Sequence, residues 1–316
     1  MRAIVIKEFG GPEVLAIEER PAPEPRQGHV LIEVKAFGLN HAEIYFRRGL
    51  WGEVAEISGI ECVGLVRDDS SGRLAPGRTV AAMVGGLGRS LDGSYAELVS
   101  VPAANVAPID SDLSWEVLAA VPESFATAWV SMIGILDVTA GQRVLIRGAT
   151  SALGLAAVAI AAEAGAHVVA TTRRPEREAA LKQLGAAEVE IGERRCARMD
   201  AVLDIVGTGT VLDSLSALRR GGRACLVGFL GGGDPLTMQP VFEMAGGRHL
   251  SVFASAKDLG TPDFPLAEIP FQRIAEKIAA GRYGIRSAAV FSFDEIQEAH
   301  RLMETGDAFG KIVVVV

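Results

Sequence analysis

Paired cysteines, a basic surface and a membrane-length apolar run are all missing from this 316-residue chain. The three cysteines, Cys62, Cys196 and Cys225, stand far apart with no CxxC spacing, which argues against a disulfide scaffold and for a reducing, cytoplasmic location. Acids outnumber Lys and Arg by 39 to 31, for a net charge of −8 and a pI near 5.3. General binding to nucleic acid or an anionic membrane calls for the opposite balance. The longest apolar run, Ala152 to Ala162, stops at Glu163 and is too short to span a bilayer, and the opening MRAIVIKEFG carries no leader-length apolar stretch. No serine sits in a GxSxG elbow, so a nucleophilic triad is not expected.

What is present divides the chain in two. A length of 316 residues favours two domains over one. The first 110 residues hold short β-type runs at Ala3 to Ile6, Val30 to Phe37, Glu61 to Val66, Thr79 to Met83 and Ala96 to Val101, punctuated by Gly and Pro. Within them Asn40 to Gly49 predicts a short helix, with Asn as its cap and Gly past its end. From about Leu118 helices and strands alternate, the pattern of a parallel sheet covered on both faces. A late helix at Phe293 to Glu304, with His300 facing Glu304, and a final strand at Lys311 to Val316 are expected to pack back on the N-terminal part. The expected fold is therefore α/β: a β-rich domain from 1–118 and 258–316, and a doubly wound domain from 119–257.

Arg143 to Thr172 reads as strand, turn, apolar helix and strand, a dinucleotide-binding βαβ. Its turn presents backbone N–H groups at a helix N-terminus, a site suited to pyrophosphate. The three-glycine fingerprint is incomplete, because Ala149, Ser151 and Gly154 hold those positions. Ser151 is expected to offer a hydroxyl to phosphate, beside the N–H groups of Ala152 and Leu153.

Several stretches, in order and at matching spacing, resemble the medium-chain dehydrogenase/reductase superfamily and its zinc-free, zeta-crystallin-like quinone oxidoreductases. They include FGLNHAEIYFRRG (37–49), GIECVGLV (59–66), GSYAE (93–97), AAVPESFATAW (119–129), RGATSALG (147–154), DAVLDIVG (200–207), GGRACLVG (221–228) and AHRLMETGDAFGKIVV (299–314). The resemblance implies a GroES-like catalytic domain with an inserted Rossmann cofactor domain. It places Asn40 beside the nicotinamide and the substrate carbonyl, and Tyr45 in the substrate cleft. Cofactor contacts are implied for Asn40, Thr127, Gly148, Thr150, Ser151, Ala152, Leu153, Val206, Gly228 and Phe229. His41 is the one histidine near that cleft, and no partner is evident to set its tautomer. The positions that hold catalytic zinc in metal-dependent relatives are Phe37 and Ile60, neither able to bind zinc, so no metal is expected. Cys62, His41 and Glu61 lack a three-ligand-plus-water set.

The coenzyme follows from charge. NAD-preferring sites place an acid about 20 residues past the turn to hold the ribose hydroxyls. Here the second strand ends HVVATTRRPER, with no acid at Thr171, Thr172, Arg173 or Arg174. Thr171 and Thr172 are expected cofactor contacts, and Arg173, Arg174 and Arg177 are expected to bind the 2′-phosphate of NADPH, the alternative being a solvated helix face where Glu176 and Glu178 neutralise them. The expected activity is metal-free hydride transfer from NADPH to a quinone or related conjugated carbonyl. An enone or alkenal double-bond reductase is the alternative, and a non-catalytic NADPH sensor or RNA-binding relative is one of another class, with Arg194–Arg198 and Arg219–Arg223 as its basic clusters. A homodimer through the edge strand Leu250 to Ala254 is implied. EVEIGERRCARM, before Asp200, is shorter than in relatives and leaves Arg194, Arg195 and Arg198 facing solvent.

Overall fold

The computed structural model describes residues 1–192, 195–244, 246–284 and 287–316. Its strands, in chain order, are β1 (Arg2–Ile6), β2 (Leu15–Glu19), β3 (His29–Gly38), β4 (Glu61–Asp69), β5 (Thr79–Met83), β6 (Leu98–Pro102), β7 (Val106–Pro108), β8 (Arg143–Arg147), β9 (His167–Thr172), β10 (Glu188–Ile191), β11 (Met199–Asp204), β12 (Leu218–Leu226), β13 (His249–Val252), β14 (Ser287–Ser292) and β15 (Lys311–Val315). The chain separates into two compact units, one formed by Met1–Glu123, Ala256–Arg282 and 287–316, the other by Ser124–Ser255 with Tyr283 and Gly284.

In the first unit a mixed sheet runs β14-β15-β3-β4-β5-β7, β6 pairs with β3, and β1 and β2 form a separate hairpin. Alternate residues of β3, Val30, Ile32 and Val34, are buried, and they meet Phe293, Ile296 and Val314 from the end of the chain in one core. Antiparallel pairing of β15 with β3 sets Val313 opposite Gly38. The helix His41–Arg47 follows β3 directly: Asn40 is its cap residue, and Gly49 just beyond it has φ +67°, a conformation that favours glycine. Three strands are not evident from sequence pattern: β2, β7 and β14. Each lies at a sheet edge or in a hairpin, where pairing decides the conformation more than residue propensity does.

The second unit is a six-stranded, wholly parallel sheet in the order β10-β9-β8-β11-β12-β13. The order reverses between β8 and β11, and ligands bind such sheets at that point, outside the strand ends. The helix Ala152–Glu163 is buried from Gly154 through Ala161, matching its apolar sequence. Between β10 and β11, residues 195–198 form no helix; Arg195 and Arg198 are exposed, and Arg194 lies outside the described residues. Trp115–Ile135 is apolar and long enough to cross a bilayer, a stretch longer than the apolar run at Ala152 to Ala162, but 72% of its apolar 18-residue window is buried inside the protein.

Candidate active site

The dinucleotide turn lies at the end of β8. Gly148 takes φ +76°, so the left-handed step falls one residue before the first fingerprint position, which explains how Ala149 is tolerated there. Gly154 is irreplaceable for a different reason: a Cβ would stand 2.3 Å from the Gly148 carbonyl oxygen and 2.6 Å from the Ala149 Cα. The helix Ala152–Glu163 therefore rests directly on the turn, with no helical acceptor for the N–H groups of Ala152 and Leu153. Those donors and the helix dipole make an anion seat. Thr150 lies half-buried in the same turn.

The Ser151 hydroxyl, expected to face phosphate, is engaged within the turn in this structure. Its Oγ donates to the Gly148 carbonyl at 2.8 Å and accepts from the Gly154 N–H at 3.0 Å. It is the helix cap, and its single proton is already committed. The other wall comes from β11, where buried Asp204 accepts the N–H groups of Val206 and Gly207 at 3.0 and 3.1 Å. Asp204 also takes the hydroxyls of Thr210 and Ser214, at 2.9 and 2.6 Å. Gly207 has φ +115°, and a Cβ there would press on the Phe229 backbone at 3.0 Å. Gly231 in turn donates to the Val206 carbonyl at 2.7 Å; the Asp204 carboxylate thus holds Val206 and Gly207, and Gly207 packs closely on the Gly228 and Phe229 backbone. Sequence reading missed Asp204. Its signal was an acid closing the apolar run AVLD.

At the end of β9, Thr171 is half-buried and pairs with Glu190 of β10. Thr172 is buried and its Oγ1 accepts the Arg174 N–H at 3.0 Å. Arg173 is exposed, while Arg174 and Arg177 are half-buried. Burial first, and then the charges of Arg174 and Arg173, lower the pKa of Arg177. Crowded guanidinium groups of this kind favour a dianion, and no acid stands at Thr171 to Arg174. Thr127 is buried in the helix Pro122–Trp129.

Asn40, in the first unit, sits inside a polar cluster that sequence reading did not foresee. Its Nδ2 donates to Glu61 Oε1 at 2.9 Å, with a longer contact of 3.4 Å to the Gly38 carbonyl. Its Oδ1 accepts from Lys311 Nζ at 2.6 Å, and Lys311 is ion-paired to Glu61. Next to this pair lies Glu43, fully buried. Its carboxylate accepts the Asn40 N–H, the Ile60 N–H and the Tyr95 hydroxyl at 2.8, 2.9 and 2.7 Å, while burial pushes its pKa up to about 7. Because Tyr95 donates to Glu43, its oxygen is left to accept from His300 Nε2 at 3.0 Å, which fixes the His300 tautomer. His300 thus faces Tyr95, not Glu304. Glu304 is taken by Arg47 and Arg48 from the helix His41–Arg47. Tyr45 is half-buried, its ring edge-on to His41 at 5.7 Å.

Zinc does not fit the residues present. Phe37 stacks on Tyr95 at 4.5 Å, Ile60 is core, and Glu61 is bound to Lys311. The Cys62 thiol is buried and its pKa is raised, and no group of three potential ligands gathers among the described residues.

A parallel sheet with bare helix N–H groups at its switch point, in one chain with a β-rich unit, is an arrangement suited to binding a dinucleotide. Comparison with known families agrees. Residues 26–111 match the alcohol dehydrogenase GroES-like domain, and residues 165–314 match a family described as zinc-binding dehydrogenase. The human quinone oxidoreductase is 28% identical, the alignment covering all of this chain and 98% of the relative. A solved NAD-dependent alcohol dehydrogenase is 28% identical with a TM-score of 0.82, each chain covered completely. Escherichia coli quinone oxidoreductase, solved in complex with NADPH, has a TM-score of 0.88 at 23% identity, again with both chains fully covered, a likeness of fold. The chain belongs to the medium-chain dehydrogenase/reductase superfamily and is quinone oxidoreductase-like; it is an oxidoreductase of the NAD(P)-binding type.

Proposed function

We propose that the chain is an NADPH-dependent quinone oxidoreductase that reduces a quinone or a related conjugated carbonyl without a metal ion. The observation that carries the coenzyme choice is the end of β9, where Arg173, Arg174 and Arg177 stand and no acid occupies Thr171 to Arg174 to hold a ribose 2′-hydroxyl. Those three arginines would take the 2′-phosphate, with Thr172 shaping the turn that carries them. The Gly148 turn and the N–H groups of Ala152 and Leu153 would take the pyrophosphate. Thr127, Val206, Gly228 and Phe229 would flank the nicotinamide. When bound, the coenzyme supplies the hydride. Asn40 then stabilises charge on the substrate oxygen: one Nδ2 hydrogen stays on Glu61, and the other exchanges its long contact with Gly38 for the carbonyl. Tyr45 lines the substrate side, as a wall or a proton donor. Three buried thiols fit a reducing cytoplasm.

Kinetics with NADPH and NADH against 1,4-benzoquinone, 9,10-phenanthrenequinone and an enone test both halves of this reading. NADPH should be preferred by about tenfold or more, the worth of one charged hydrogen bond. Equal kcat/KM for the two coenzymes would refute the phosphate site. Preference for the enone would favour an alkenal or enone double-bond reductase, and NADPH oxidation by none of the three would refute the substrate class.

A further inference from the structure

Lys311 and Glu61 form a buried ion pair, with side chains 3% and 0% exposed. Such pairs are poor sources of stability, since attraction between the ions barely offsets their desolvation. The position of this one is better explained by the side chain it grips. Lys311 donates to Asn40 Oδ1, and Glu61 accepts from Asn40 Nδ2. Flipping the amide would turn its oxygen to a carboxylate and its NH2 to an ammonium, so only one orientation is allowed. Glu61 is anchored in turn, because its second oxygen accepts the Glu123 N–H at 2.8 Å. The backbone leaves room for the pair at Gly38, where a Cβ would lie 2.2 Å from Lys311 Cε, 2.8 Å from Glu61 Oε1 and 2.8 Å from the Ala119 carbonyl oxygen.

We propose that Lys311 and Glu61 are positioning residues for the reduction, holding the Asn40 amide in one orientation and polarising its N–H for donation to the substrate oxygen. This rests on the reading of Asn40 as the group that meets that oxygen.

The test compares Asn40→Ala, the pair Lys311→Met with Glu61→Gln, all three substitutions together, and Lys311→Arg. Each is assayed with NADPH and 9,10-phenanthrenequinone, alongside Tm and the NADPH dissociation constant. Removing both charges at once avoids leaving a lone buried ion. Asn40→Ala should lower kcat by about 100-fold, as loss of an oxyanion donor does. The paired substitution should lower kcat by about tenfold, with quinone KM and NADPH affinity within about twofold. Lys311→Arg should restore most of the rate, and the paired substitution should add less than about twofold once Asn40 is alanine. If the paired variant unfolds, Gly38→Ala replaces it and should show the same kcat loss. An undiminished loss in the Asn40→Ala background, or no loss from displacing the pair, overturns the positioning role while Asn40 stands. An Asn40→Ala enzyme with unchanged kcat overturns the reading of Asn40 itself.

Discussion

Acid should act on His300 and Glu43 in opposite directions, and the two effects can be worked out from their surroundings. The His300 ring is enclosed; Tyr95 meets its Nε2, Nδ1 has no partner among the described residues, and Arg47 lies nearby. Burial, reinforced by Arg47, holds its pKa down to about 3 from the ordinary 6.5. The unfolded chain gains a proton here near pH 6.5 and the folded chain only near 3, so stability falls as pH drops through that window, by roughly 5 kcal/mol in full. Glu43 works the other way. Burial raises its pKa to about 7 from 4.5, against the hydrogen bonds from Asn40, Tyr95 and Ile60 and the charge of Lys311. Its proton is held by the folded chain and released by the unfolded one between pH 4.5 and 7, so stability rises as pH falls across that range, by roughly 3 kcal/mol.

Between pH 7 and 4.5 His300 therefore removes, and Glu43 returns, roughly 3 kcal/mol each, and the two nearly cancel. Below 4.5 only the His300 loss continues. Urea unfolding of the full chain at pH 7.5, 6.0 and 4.5 separates them. His300→Gln, which keeps a donor for Tyr95, should gain about 3 kcal/mol on acidification across that range, and Glu43→Gln should lose a similar amount. Wild type should change little. Identical pH profiles for all three proteins would refute the buried neutral imidazole and the raised carboxyl together.

Three further outcomes follow from the cofactor unit. Gly154→Val drives a side chain into the Gly148 and Ala149 backbone and should cost roughly 1–3 kcal/mol of stability and at least tenfold in NADPH affinity, read by thermal melting and fluorescence titration. Unchanged binding would move the pyrophosphate elsewhere. Ser151→Ala removes the cap on Gly154 and should cost about 1 kcal/mol, with the NADPH dissociation constant within about twofold; a tenfold loss of affinity would put the hydroxyl on the ligand after all. Among the described residues edge strand β13 pairs on one side only, and Val252 on it is 67% exposed. We propose that a second copy continues the sheet there, so Val252→Lys should shift a sedimenting dimer to monomer; a wild-type monomer at micromolar concentration would refute it.

Local chemistry explains what the sequence discloses and what it hides. Alternating strands and helices announce the parallel sheet, the asparagine and glycine around His41–Arg47 mark that helix, and the arginines beyond Thr172 declare their charge, because each signal is carried within a few residues. Ser151 is visible but undecided on sequence alone, since one hydroxyl can serve a helix cap or a ligand and only the turn geometry chooses. His300 and Glu304 are four apart on one helix, yet arginines from another element claim the acid. The Asn40 cluster is harder still, for it exists only through the meeting of β3, β4 and β15, with Lys311 arriving 271 residues after Asn40. A trace is nonetheless left in the chain. Glu61 precedes an apolar run, Lys311 opens another and Asp204 closes a third, and all three are buried. A charge at the end of a buried strand must find a partner or lose its ionisation, so each of these is a place where a tertiary contact has to be sought.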